Sequence, residues 1–164
     1  MKAWTGIEIE RARQGLEQAS ATVLGRMIFE FSRLDMSLGL ALVWSDGGAQ
    51  LERFSKLVTD FSFHKKLDFL QKLVEAKYER EQEPHSLYGK WLEHAHAVRV
   101  TRNELIHGQW GVDPMKNQVV NVVGLPTSPE QRQRAYTIAE LKATLDQMAY
   151  LQVRLAELRE RWPV

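Results

Sequence analysis

The sequence predicts an all-α protein: an antiparallel bundle of four to five main helices in one domain spanning 1–164, with a small β-hairpin at about 109–124 before the last helix. Three observations predict it. Most of the chain carries apolar residues at spacings of three and four, the period of a helix that buries one face. That period breaks once, after Gly108, into a short stretch rich in valine. No internal repeat, low-complexity tract or long linker divides the chain.

The elements follow in order. A short charged helix is expected from Ile7 to Gln18. Ser20 then reads as the N-cap of a longer one through about Trp44, with Val23, Leu24, Met27, Ile28, Phe31, Leu34, Leu38 and Leu42 on its apolar face. Ser45-Asp46-Gly47-Gly48 is a stop and turn, and a shorter helix runs from about Gln50 to Thr59. Ser62 caps the next, whose stripe of Phe63, Leu67, Leu70, Leu73 and Val74 reaches about Arg80. Pro84 suits the first turn of a helix that runs to Ile106 and stops at His107-Gly108, a C-terminal glycine signal. Trp110–Val112 and Val119–Val123 read as strands around a turn at Asp113–Asn117, and 125–134 reads as loop. Thr137 and Glu140 have capping-box spacing at the start of a final helix through about Arg161. Trp44, Trp91 and Trp162 fall on apolar stripes and read as core.

Composition narrows the chemistry. The chain has 164 residues, with 22 Lys+Arg against 21 Asp+Glu, so no bulk positive field draws it to nucleic acid or membranes; a basic site must be local. The absence of cysteine excludes disulfides, thiolate zinc sites, iron–sulfur clusters and a Cys nucleophile. Met1–Glu10 turns acidic where a leader needs an apolar core, and charges interrupt the apolar runs short of a membrane span. A cytoplasmic protein with no membrane partner is the expectation. Gly47-Gly48 lacks the length and lysine of a phosphate loop, so no cofactor is expected. His94, His96 and His107 share no metal-ligand spacing, so no metal is expected either. Lys65, Lys66, Lys72 and Lys77 give the middle helix a basic face.

The penultimate long helix is the informative one. At about 100° per residue, Trp91, Ala95, Val98 and Leu105 share a narrow stripe, and Arg102 falls in the middle of it. An arginine there must snorkel, meet an acid or line a polar cleft, because an unpaired buried charge costs several kcal/mol. Asp35 interrupts the line of Phe31, Leu38 and Leu42 in the same way. Either the two form a buried pair that fixes helix register, or Asp35 orients an arginine whose other donors face a ligand. Beside the apolar stripe runs a polar one of His96, Asn103 and His107, with Arg99 on its edge; Glu104 falls on the opposite side as a solvated residue.

The string Arg102-Asn103-Glu104-Leu105-Ile106-His107, followed by Gly108 and Trp110, resembles the R-(four residues)-H motif of the HEPN superfamily, including the polar residue after the arginine. Phe31-Ser32-Arg33-Leu34-Asp35 resembles the earlier helix that carries an acidic residue in such proteins. The resemblance covers about Ser20 to Trp162 and is sharp only from Arg102 to Gly108; the hairpin and the Trp110 segment are not general to the superfamily. It implies a metal-independent endoribonuclease, or a non-catalytic dimerisation or binding module related to one. It also implies a homodimer whose two motifs face each other across a cleft, and the company of toxin–antitoxin and other defence proteins. Any antitoxin or regulatory partner would be another chain. On this reading Arg102 and His107 are catalytic, and Asn103, Asp35, Arg99 and His96 orient the substrate. Trp4 and Trp110 are less constrained than the stripe tryptophans, and base stacking by Trp110 beside the motif is the lesser of its two readings. A helical adaptor without nucleic-acid chemistry is the competing reading, and it predicts no basic patch near His107.

Overall fold

A computed structural model describes residues 4–164; Met1, Lys2 and Ala3, which open the N-terminal stretch read above for a leader, lie outside the described residues. The protein is mainly helical, with five helices and three strands among the described residues. These are α1 (Gly6–Val43), α2 (Leu51–Thr59), α3 (Phe63–Lys77), α4 (Glu83–His107), β1 (Gln109–Asp113), β2 (Gln118–Val123), β3 (Arg132–Tyr136) and α5 (Ile138–Arg161). Among the described residues, no helix is long and apolar enough to cross a membrane. The chain forms two compact units: the first holds the chain up to Phe29 together with Thr101–Asp146, the second Glu30–Val100 with Gln147–Val164.

Two expectations are corrected here. The break before Ser20 does not exist, and α1 is one helix of 38 residues. Instead of capping, the Ser20 hydroxyl donates back to the carbonyls of Leu16 (2.8 Å) and Glu17 (3.0 Å), which satisfies a serine inside a helix. No proline lies between Gly6 and Val43, and the helix runs on through Gly15 and Gly25. The second correction is a third strand, β3, in and beyond the segment read as loop. It completes an antiparallel sheet of order β1-β2-β3. Four of its five residues are exposed, so it lacks the apolar alternation that marks a strand; charge on an edge strand also discourages further pairing.

In the first unit the sheet turns one face inward. Trp110, Asn121 and Arg134 are cross-strand neighbours, as are Val112, Val119 and Tyr136. Val119, Asn121 and Tyr136 are buried along with Leu16, Val23, Met27, Leu105 and Leu141. The β1–β2 turn is an Asx turn, in which Asp113 Oδ1 accepts from Met115 N and Lys116 N. Asn117 supplies the left-handed residue at φ 53°, which asparagine tolerates best after glycine. The α5 capping box forms as read: Thr137 N donates to Glu140 Oε2 (2.7 Å) and Glu140 N to Thr137 Oγ1 (3.2 Å).

The second unit owes its core to the remaining stripes. Leu34, Leu38, Leu42, Leu67, Leu70, Met148 and Leu151 are almost wholly buried. Directional contacts tie the helices together: the rings of Phe31 and Phe63 lie 4.8 Å apart, Trp91 Nε1 donates to Leu151 O (2.9 Å), and Tyr88 Oη donates to Trp162 O (2.8 Å). Ser62 caps α3 as expected, accepting from Lys65 N. Trp91 is core, but Trp44 is half exposed beyond the end of α1, its ring against Gly48 in the following turn. Lys66 is the other departure: it is buried rather than part of a basic face, and its Nζ bonds Asp35 Oδ1 at 2.8 Å.

Candidate functional site

The last two turns of α4, from Thr101 on, belong to the first unit and hold three of the expected residues. Arg102 is half-buried, and its Nη1 donates to Asn103 Oδ1 at 3.1 Å. The residue after the arginine therefore orients it. His107 is the last helical residue and is exposed. The helix ends tightly, with Gly108 N donating to Glu104 O (3.1 Å). Trp110 Nε1 donates to Leu105 O (2.9 Å), satisfying one of the carbonyls a helix terminus orphans.

Gly108 has a different reason from the one its position suggests. It does not adopt the left-handed conformation of a C-terminal glycine cap. A Cβ there would fall 2.1–2.4 Å from the Asn121 amide group, so the glycine is required by close approach of a buried side chain on β2. Trp110 is likewise committed to the fold: besides its N–H bond, its ring lies 6.1 Å from that of Tyr136.

Next to this helix end the sheet frames an open cleft of about 380 Å³, lined by Glu104, Asn121, Val123, Arg132, Gln133, Arg134 and Tyr136. Glu104 is therefore half-buried in a cleft wall, not a solvated outer residue. Arg132 and Arg134 bring two exposed guanidinium groups from β3, the second lying 4.9 Å over the Tyr136 ring. Burial pushes the Tyr136 hydroxyl above the ordinary tyrosine pKa, which keeps it a neutral donor. Asn121 is 3% exposed and its Nδ2 has no hydrogen-bond partner among the described residues. Apart from Glu104, which read as solvated, none of these cleft residues stood out in the sequence, because the juxtaposition of the strand residues depends on the β2–β3 pairing.

The other three expected residues lie in the second unit. Asp35 is held by Lys66. Arg99 is half-buried, and its buried Nε has no hydrogen-bond partner among the described residues. His96 meets partners that the comparison of His94, His96 and His107 leaves out. Its ring lies 5.5 Å from that of His64, and one donor atom each from His64, Asp68 and His96 lie within 4.8 Å of one another. Burial, then the charge of Arg99, then His64 hold the His96 pKa below the ordinary value, against the opposing pull of Asp68. The spacing of His64 and Asp68, four apart on α3, was visible; the approach of His96 from α4 was not.

Compared with protein-family models, with curated proteins and with solved structures, the chain matches none.

Proposed function

We propose that the chain is a HEPN-like endoribonuclease that cleaves RNA without a metal ion, using Arg102 and His107 at the end of α4. The observation that carries this reading is the state of the motif: Arg102 is oriented by Asn103, and His107 stands exposed at the helix terminus. The arginines of β3 sit in a cleft that the same helical turn helps to line. A single-stranded backbone needs such a local set of cations when the net charge is only +1.

RNA carries its own nucleophile, the 2′-hydroxyl. Its oxygen attacks the adjacent phosphorus as the bond from phosphorus to the 5′-oxygen breaks. One histidine takes the 2′ proton, and a second, the His107 of a two-fold partner, protonates the leaving 5′-oxygen. Arg102 binds the phosphate and the charge that grows on it in the transition state. The products are a 2′,3′-cyclic phosphate and a 5′-hydroxyl. An activity of this kind needs restraint in a cell, which favours a masking partner chain of the antitoxin type.

The test is cleavage of total tRNA and mRNA by purified protein in EDTA, beside His107→Ala and Arg102→Ala. We expect cyclic-phosphate ends from the wild type and a loss of at least about a hundredfold in each variant, the usual worth of a general acid–base or an electrostatic group. An inactive wild type, or a His107→Ala protein that cuts equally well, would instead make the motif part of a non-catalytic binding module.

A further inference from the structure

We propose that His64, Asp68 and His96 form a binding site for a divalent transition metal of the zinc class, built between α3 and α4 in the second unit and sharing no residue with the Arg102–His107 motif.

The donor set argues for it first. Two imidazoles and one carboxylate are the ligand combination of open, three-protein-ligand sites for zinc and of facial sites for other late first-row metals. Residues four apart on a helix lie on one face, so α3 presents His64 and Asp68 together. His64 Nε2 lies 3.5 Å from Asp68 Oδ2. With metal bonds of about 2.0–2.1 Å, two ligand atoms of a tetrahedron are about 3.3 Å apart, so the pair stands near bidentate spacing already. The third donor comes from a separate helix, and all three lie within 4.8 Å of one another. Rotation about side-chain torsions closes the remaining distance.

An ordinary surface ion pair accounts for His64 and Asp68 alone. It does not account for His96. Two imidazoles whose centroids are 5.5 Å apart repel each other when both are protonated and are compatible when neutral, the form that binds metal. A metal ion bound by both neutral rings makes use of their closeness, and the Asp68 carboxylate offsets part of its charge. Arg99 works the other way, which favours a site of moderate affinity. His96 is half-buried and His64 exposed, so a fourth position is open to water. His96 also borders a cleft of about 220 Å³ that carries Glu75 and Glu93, groups able to hydrogen-bond a metal-bound water or small ligand.

The experiment uses the tag-free chain, stripped with chelator, titrated with Zn(II) by calorimetry and with Co(II) by visible absorption. One equivalent of Zn(II) should bind and raise the melting temperature, and Co(II) should give a tetrahedral spectrum that Zn(II) abolishes. In His64→Ala and in His96→Ala the affinity should fall at least about tenfold, the smallest loss usual when even an outer partner of a metal ligand is removed. Asp68→Asn should weaken binding as well. His64 is exposed, so its variant keeps the fold, and circular dichroism checks this. A wild type that binds no stoichiometric metal overturns the proposal; so does binding that survives both histidine substitutions unchanged. Neither readout involves RNA, so this result and the ribonuclease test stand or fall separately.

Discussion

Asp35 and Lys66 form a pair whose members were unequally legible. An acid that interrupts an apolar line announces itself in the sequence, and Asp35 did so. Its partner did not, because Lys66 follows Lys65 and reads as the second charge of a solvated face. The helix settles the matter by angle: Lys66 lies one residue before Leu67 and within reach of the buried side, and only 11% of its side chain is exposed against 38% for Asp35. The ammonium donates to Asp35 Oδ1 at 2.8 Å and more weakly, at 3.5 Å, to the Asp35 carbonyl. Asp35→Ala removes the stronger acceptor and leaves a largely buried ammonium. The cost should be about 2 kcal/mol, below the roughly 3–5 kcal/mol of a fully enclosed pair because water reaches the aspartate side. Lys66→Met keeps the volume and removes the charge, and should stay within about 1 kcal/mol of wild type. Urea denaturation of the two variants checks the order. A lysine variant that is the less stable of the two would show that the pair itself, not the buried charge, carries the energy.

Among the elements, periodicity revealed what depends on a long apolar face and missed what depends on a neighbour. The stripes of α3 and α5 and the caps at Ser62 and Thr137 are local signals, and they stand where the sequence puts them. Strand β3 has no such signal; Arg132, Gln133, Arg134 and Ala135 are strand only because β2 offers them partners. The cleft wall built from that pairing was invisible for the same reason. Gly108 shows how far a local rule can mislead. Its place after α4 suggests a cap, whereas its real constraint is the Asn121 amide from β2. Gly108→Ala should therefore destabilise by about 1–3 kcal/mol, the usual cost of overpacking, and should displace the neighbouring His107. Shortening the opposing side chain in the double variant Gly108→Ala/Asn121→Ala should recover part of that loss. Denaturation of both single variants and the double closes the cycle. Strictly additive effects would mean that the two residues do not meet, and the contact would no longer explain the glycine.

For the whole molecule, the decisive quantity is charge. With 22 basic against 21 acidic residues, the chain has no long-range field to gather a polyanion, so the proposed ribonuclease reading requires any affinity for RNA to come from the few cations at the proposed site. That gives a quantitative expectation. Each phosphate neutralised on a single strand contributes about −0.7 to the slope of log K against log salt concentration, so Arg102, Arg132 and Arg134 together predict a slope of about −2 per chain. Binding is measured by fluorescence anisotropy with a labelled single-stranded RNA, using the His107→Ala protein so that the oligonucleotide stays intact. Replacing Arg132 and Arg134 by glutamine should flatten the slope by about 1.4, two contacts' worth, and weaken binding alike for different sequences. A slope near −5 would require more cations than this cleft holds and would point to the exposed Lys65, Lys72 and Lys77 of α3 as a second contact surface. A slope near zero, with no loss in the double variant, would remove the electrostatic basis for RNA as the substrate. The near balance of charges thus makes a small patch testable, because no net positive field of the whole chain masks it.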